Sequence, residues 1–96
     1  MGVFTGEPEP VEIVFSAEVA PFIHARTWHE SQELASLPDG SVRMSLRVSN
    51  DVALRSWVLG FGAAARVVAP ESLRAAVADE CRRILAQPTT PDASAS

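Results

Sequence analysis

Residues 41–49 read Ser-Val-Arg-Met-Ser-Leu-Arg-Val-Ser, and their alternation decides the fold. In an extended chain Val42, Met44, Leu46 and Val48 point one way, while Ser41, Arg43, Ser45, Arg47 and Ser49 point the other. Period-two alternation of this strictness predicts a strand of an antiparallel sheet with one buried face and one wet face. Immediately upstream, Leu37-Pro38-Asp39-Gly40 predicts a tight turn. Pro38 presets φ, Asp39 bonds back to the backbone, and Gly40 takes the left-handed position. A hairpin turn needs a strand before it, and Trp28–Ser36 fills that place with a weaker pattern.

Working outward, Asn50 or Asp51 caps a helix whose apolar stripe is Leu54, Trp57, Val58 and Phe61, stopped by Gly60 and Gly62. Ala65–Ala69, centred on Val67 and Val68, predicts a short strand. Pro70 and Glu71 then open a last helix with the stripe Leu73, Val77, Cys81, Ile84 and Leu85. Asp79 and Glu80 stand one helical turn before Arg82 and Arg83, a spacing that supports the helix. Toward the N-terminus, Val11, Ile13 and Phe15 alternate with Glu12 and Val14, which predicts the first strand. Ser16 offers an N-cap, Glu18 suits the positive end of a helix, and Val19, Phe22, Ile23 and Arg26 follow at helical spacing. Pro21 is tolerated only in a first turn, so the regular helix starts no earlier than Glu18.

The predicted order is strand, helix, strand, strand, helix, strand, helix. This is the α+β, ferredoxin-like βαββαβ arrangement: an antiparallel sheet with helices on one face, plus an extra C-terminal helix. The uncovered face displays Arg43 and Arg47. Residues 1–10, with Pro8 and Pro10 between glutamates, read as a linker, and residues 11–86 as the folded domain. Residues 87–96 carry too little apolar surface to offset ordering entropy and read as a disordered tail.

Composition narrows the function classes. The 96 residues are 47% hydrophobic, but a third of that apolar set is alanine, so the core is modest. There is no lysine; the eight basic residues are all arginine, against twelve acids, for a net charge of −4. Residues 1–25 hold four glutamates and no arginine, while the remainder is balanced. A domain that binds duplex phosphates alone carries a basic face to release counterions, so direct duplex DNA binding is not expected. One cysteine can form neither an intramolecular disulfide nor a cysteine zinc site, which fits a reducing cytoplasm. No apolar run approaches the ~20 residues of a membrane span, and no signal-peptide pattern opens the chain, so no membrane association is expected.

No constellation carries recognisable chemistry. His29-Glu30-Ser31-Gln32-Glu33 looks like a zinc-protease signature, but its fifth position is Glu33 rather than histidine. It also falls on the predicted second strand, where positions four apart diverge by ~13 Å. His24 and His29 have no third ligand at fixed spacing. Gly60-Phe61-Gly62 follows a helix rather than a strand, so helix termination explains it better than a phosphate cradle. Cys81 lies on the apolar stripe and is expected to be inert. None of the ten serines stands in Gly-x-Ser-x-Gly. No catalytic, cofactor or metal residues are therefore assigned, and an enzyme is not expected. The partner-contact candidates are Arg43 and Arg47 on the open face and Trp28, with Trp57 assigned to the helix stripe. Arginine tolerates desolvation and pairs bidentately with carboxylates or phosphates. Single-strand nucleic-acid readers of this fold stack bases on aromatics that Arg43, Ser45 and Arg47 do not supply.

Five segments, in order, carry a resemblance. Val-Glu-Ile-Val-Phe-Ser (11–16), Ala-Arg-Thr-Trp-His-Glu-Ser-Gln (25–32), Pro-Asp-Gly-Ser-Val (38–42), Trp-Val-Leu-Gly-Phe-Gly (57–62) and Ala-Arg-Val-Val-Ala-Pro-Glu-Ser-Leu-Arg (65–74) resemble the WCX domain. That domain is the C-terminal extension of bacterial WYL-domain transcriptional regulators, and the resemblance covers about residues 11–86. It implies a non-enzymatic regulatory and oligomerisation domain with a homodimeric habit. Its partners would be upstream WYL and helix-turn-helix domains of the same regulator, of which this chain would be a fragment. The resemblance supplies no catalytic residues. Two other readings stand beside it: a stand-alone small-molecule-binding ferredoxin-like module, and a small dimeric α+β-barrel enzyme using His24, His29 or Glu30.

Overall fold

The computed structural model describes residues 7–88. The chain runs β1 (Glu9–Phe15), α1 (Ala20–His24), β2 (Glu33–Ser36), β3 (Val42–Val48), α2 (Val52–Leu59), a 3-10 turn at Gly62–Ala64, β4 (Ala65–Ala69) and α3 (Glu71–Leu85). The four strands form one antiparallel sheet in the order β2-β3-β1-β4. The α+β class with a four-stranded antiparallel sheet and three α-helices is thus as the alternation implied.

β1 takes in Glu9 and Pro10, which the sequence reading assigned to the leading linker. Pro10 fits because β4 reaches only as far as Glu12, so at Pro10 the strand pairs with β3 alone, opposite Arg47. The expected tail at 87–96 falls, beyond Pro88, outside the described residues, as do residues 1–6 of the expected linker.

Three predicted elements shift. The first helix is a single short turn-and-a-half beginning at Ala20, with Pro21 in its first turn as its missing N–H requires. The second strand is shorter than Trp28–Ser36: residues 28–32 form a bend, and only Glu33–Ser36 pairs with β3. The bend is organised by a side chain. The Gln32 amide oxygen accepts from the backbone N–H groups of Trp28 and His29, and its nitrogen donates to the Arg26 carbonyl at 3.3 Å. The third shift concerns α3. Leu73 is buried and Val77 packs against the core, but Cys81 is exposed, Ile84 is 50% exposed and Leu85 82%. Cys81 is therefore not shielded by burial, contrary to the expectation from its place on the stripe. Geometry explains this: a helix of this length spans ~22 Å, whereas the five-residue β4 beneath it spans ~17 Å.

The core is one cluster between the sheet and the helices. Val11, Ile13 and Phe15 of β1, Val42, Met44 and Leu46 of β3 and Val67 of β4 meet Ala20 and Ile23 of α1, Leu54 and Val58 of α2 and Leu73 of α3. Asp51, rather than Asn50, caps α2: its Oδ1 accepts from the Leu54 N–H at 2.9 Å. At the end of the cluster Phe15 meets Trp57 and Phe61 edge-on, with ring centroids 5.8 and 5.0 Å away. Trp28 joins the same group, 5.6 Å from Trp57 and 5.3 Å from Phe22.

The β2–β3 turn forms as its residues require. Gly40 has φ +90°, its N–H donates to the Leu37 carbonyl at 3.0 Å, and Asp39 Oδ1 accepts from both the backbone and the hydroxyl of Ser41. Those two hydrogen bonds lower the Asp39 pKa from its ordinary value of 3.8, and the Arg66 guanidinium adds to the effect.

These contacts generate three predictions. Phe15 is fully buried, so Phe15→Ala removes about 3–5 kcal/mol. A domain this size holds only about that much, so circular dichroism should show Phe15→Ala unfolded at 25 °C and Phe15→Leu folded with a lower midpoint. Gly40→Ala places a methyl 3.2 Å from the Ala17 Cβ at a φ that side chains rarely adopt. A loss of about 1 kcal/mol or more is expected, a fall of roughly 4–8 °C in Tm. Because the Asp39 pKa is lower folded than unfolded, its contribution is complete above pH 3.8 and disappears as pH falls through the folded value. Acid titration of Asp39→Asn should lack that increment of pH dependence, and a profile identical to the parent chain contradicts the assignment.

Candidate functional site

The face of the sheet turned away from the helices is built from the outward positions of all four strands. Register places these residues in rows across the sheet. One row is Ala35, Arg43, Val14 and Arg66, because Val14 pairs with Arg43 on β3 and with Arg66 on β4, and Arg43 pairs with Ala35 on β2. The next row is Glu33, Ser45 and Glu12, since Ser45 has Glu33 on one side and Glu12 on the other. Arg47, opposite Pro10, begins a third row. The face is therefore striped: two arginines around a valine, then two glutamates around a serine, then a further arginine.

The stripes are coupled. Arg43 Nε lies 3.4 Å from Glu12 Oε2, with both side chains partly exposed. Solvent screening keeps a pair of this kind weak, so its consequence is the orientation of Arg43 more than stability. Arg66 and Arg47 are exposed, and Val68 on β4 adds 42% of its surface to the same face. Arg66 is the residue that the sequence reading missed. Little in the sequence marks it, because Val67 and Val68 are both apolar; the burial of Val67 beside exposed Arg66 and Val68 fixes which side faces out.

Trp28 does not share this face. It lies on the helical side of the sheet, where its Nε1–H donates to the Ile23 carbonyl at 3.2 Å and Arg26 stacks over its ring at 5.0 Å. There Trp28, His29, Leu46, Val48, Ala53, Leu54 and Trp57 line a cleft of about 300 Å³. Of the three candidate contacts, the structure thus brings Arg43 and Arg47 together and sends Trp28 to a separate place. One loop touches both neighbourhoods: Ser31 Oγ accepts from the Arg47 backbone N–H at 2.9 Å, and the Ser31 N–H donates to His29 Nδ1 at 3.1 Å.

His24, His29 and Glu30 do not assemble with other ligands; among the described residues no group of three or more His, Cys, Asp or Glu is placed to hold a metal. Among the same residues no helix is long and apolar enough to cross a membrane. On α3, Glu71 forms a bidentate pair with Arg74 at 2.8 and 2.7 Å, which lowers the Glu71 pKa and raises that of Arg74. Asp79 pairs with Arg82 at 3.9 Å and Glu80 with Arg83 at 3.2 Å, so these arginines are neutralised along their own helix.

Compared with known proteins, the chain matches no curated sequence. The family model of the WCX domain matches residues 7–85, a span that takes in every strand and helix described above, from Glu9 at the start of β1 to Leu85 at the end of α3. With the match running over most of its length, this chain belongs to the WCX domain family.

Proposed function

We propose that this chain is a non-enzymatic C-terminal regulatory domain of a WYL-type transcriptional regulator, contributing self-association and signal relay in the cytoplasm. The single observation that carries the reading is the WCX match across residues 7–85. In this reading DNA contacts belong to an upstream helix-turn-helix domain, in keeping with a chain of net charge −4 that has no lysine. We also infer the ferredoxin-like topology. The order β2-β3-β1-β4 supports it, since β3 inserts between β1 and β2, and β1 between β3 and β4, as two interleaved β-α-β units require.

The striped face supports self-association. A two-fold axis lying parallel to the rows, between the arginine row and the glutamate row, sets Arg43 and Arg66 of one copy against Glu12 and Glu33 of another. Such an isologous contact satisfies both charge rows at once, with its centre on the axis between the two rows. Exposed charges of this kind act mainly on specificity and are screened by salt, so the association is expected to weaken between low and physiological ionic strength.

The test is sedimentation velocity on the parent chain and on Arg43→Glu/Arg66→Glu. The double reversal should weaken self-association at least roughly tenfold, or about 1.4 kcal/mol. Mixing it with Glu12→Arg/Glu33→Arg should restore a heterodimer. A dissociation constant unchanged by the reversal removes this face from the proposed role.

A further inference from the structure

The cleft lies on the helical side of the sheet, opposite the striped face, and none of its lining residues belongs to the charged rows. It is formed where the bend at residues 28–32 leans toward α2. Trp28 and His29 make one wall, Ala53, Leu54 and Trp57 of α2 the other, and Leu46 and Val48 of β3 the floor. Its volume, about 300 Å³, stands at the lower end of the ~300–1,000 Å³ typical of small-molecule sites.

We propose that this cleft binds one small, uncharged, planar aromatic ring that carries a hydrogen-bonding group such as a carboxamide. Size, charge, shape and polarity each follow from the lining. The volume admits a one- or two-ring molecule rather than a larger cofactor. None of the lining residues is an acid, lysine or arginine, so a charged ligand would lose hydration without gaining a counter-ion. The two indoles stand 5.6 Å apart and inclined at 55°, an arrangement that offers both a ring face and a ring edge. Aromatic rings prefer offset or edge-to-face contact, so a planar π system gains more there than a saturated ring of equal size.

The polar requirement comes from His29. Its Nδ1 lies 3.1 Å from the Ser31 backbone N and 2.8 Å from Ser31 Oγ, so Nδ1 is engaged within the bend and Nε2 is the ring nitrogen left for a ligand. His29 therefore brings a hydrogen-bonding ring nitrogen to a largely apolar lining. Trp28 cannot serve in that capacity, since its Nε1–H is already given to the Ile23 carbonyl. The walls are also held in place before any ligand arrives. The Gln32 amide fixes the backbone at Trp28 and His29, Arg26 stacks on the Trp28 ring at 5.0 Å, and Ser31 ties the bend to β3 at Arg47. A preformed site loses less on binding than one that must order its walls.

The chain has two tryptophans, and both line the cleft, so its two indole N–H resonances report on this place alone. Benzamide is the probe and cyclohexanecarboxamide its saturated counterpart. Titrating each into the isotopically labelled chain should shift both indole resonances saturably with benzamide, with a Kd on the order of 1 mM for a ligand this small. The saturated amide should bind more weakly by about fivefold or more, the loss of aromatic contact. His29→Ala should weaken benzamide by roughly two- to tenfold through loss of one hydrogen bond. Ala53→Leu, which fills the cleft from an exposed helix position, should abolish the shifts while the thermal midpoint stays within a few degrees of the parent. Absence of saturation, equal binding of the two amides, or binding that survives both His29→Ala and Ala53→Leu each overturns the proposal. If Ala53→Leu fails to fold, the comparison of the two amides and the His29→Ala titration still decide it.

Discussion

Phe15 ends β1, one of the two inner strands, with none of its surface exposed, and its edge-on packing against Trp57 and Phe61 is the contact on which the remaining structure depends. β1 and β3 are the two inner strands, and from Glu12 to Phe15 β1 has a neighbour on each side, so its inward residues there must be covered by the helices. Val11 and Ile13 are covered by the body of the core, but at Phe15 the strand ends and the cover has to come from elsewhere. It comes from the end of α2 and the glycine-flanked residue that follows it. That packing draws Trp57 toward the β1 end, and Trp28 closes over both from the bend before β2. Five aromatic side chains are thereby gathered at one end of a sheet that is otherwise packed by aliphatic residues.

Gathering the aromatics on one side has a consequence for the other. The helices use up the large apolar residues, leaving the open face with short or charged ones arranged in stripes by strand register. The two surfaces differ in physical character. The open face is polar, screened by solvent and suited to selecting a partner by charge pattern. The cleft beside Trp57 is apolar and preorganised, suited to a small planar molecule. Both are bordered by one bend, residues 28–32, through the Ser31 hydrogen bonds to Arg47 and His29. That bend is held by side-chain to backbone bonds rather than by a strand ladder, and it meets Arg47 through Ser31, while Leu46 and Val48 in the cleft floor are the covalent neighbours of the same arginine.

How much was legible in the sequence depended on whether a pattern had a period. The β3 strand is read from alternation and β4 from a short apolar run centred on Val67 and Val68, and the bounds of both agree with the observed ones. The turn at Leu37–Gly40 is legible because Pro, Asp and Gly each have one favoured backbone task there. The bend at Trp28–Gln32 is not, since a glutamine amide that caps two backbone N–H groups leaves no periodic trace and resembles a poor strand. The stripe on α3 was read in the right place but credited with too much burial. Periodicity tells which side of a helix is apolar; it does not tell how far the neighbouring sheet extends beneath it.

The sequence by itself determined the α+β class, the order of elements, the one-sided burial of the sheet and the WCX resemblance, all of which rest on local spacing and residue type. Only the tertiary structure decided which outward residues become neighbours. Arg43 and Arg66 are far apart in the chain, and they flank Val14 because β1 inserts between β3 and β4. The same fold separated Trp28 from the arginines with which it had been grouped, since the sheet lies between them. Strand pairing and the helical cover are long-range outcomes of burying a shared core, and no short window of sequence contains them.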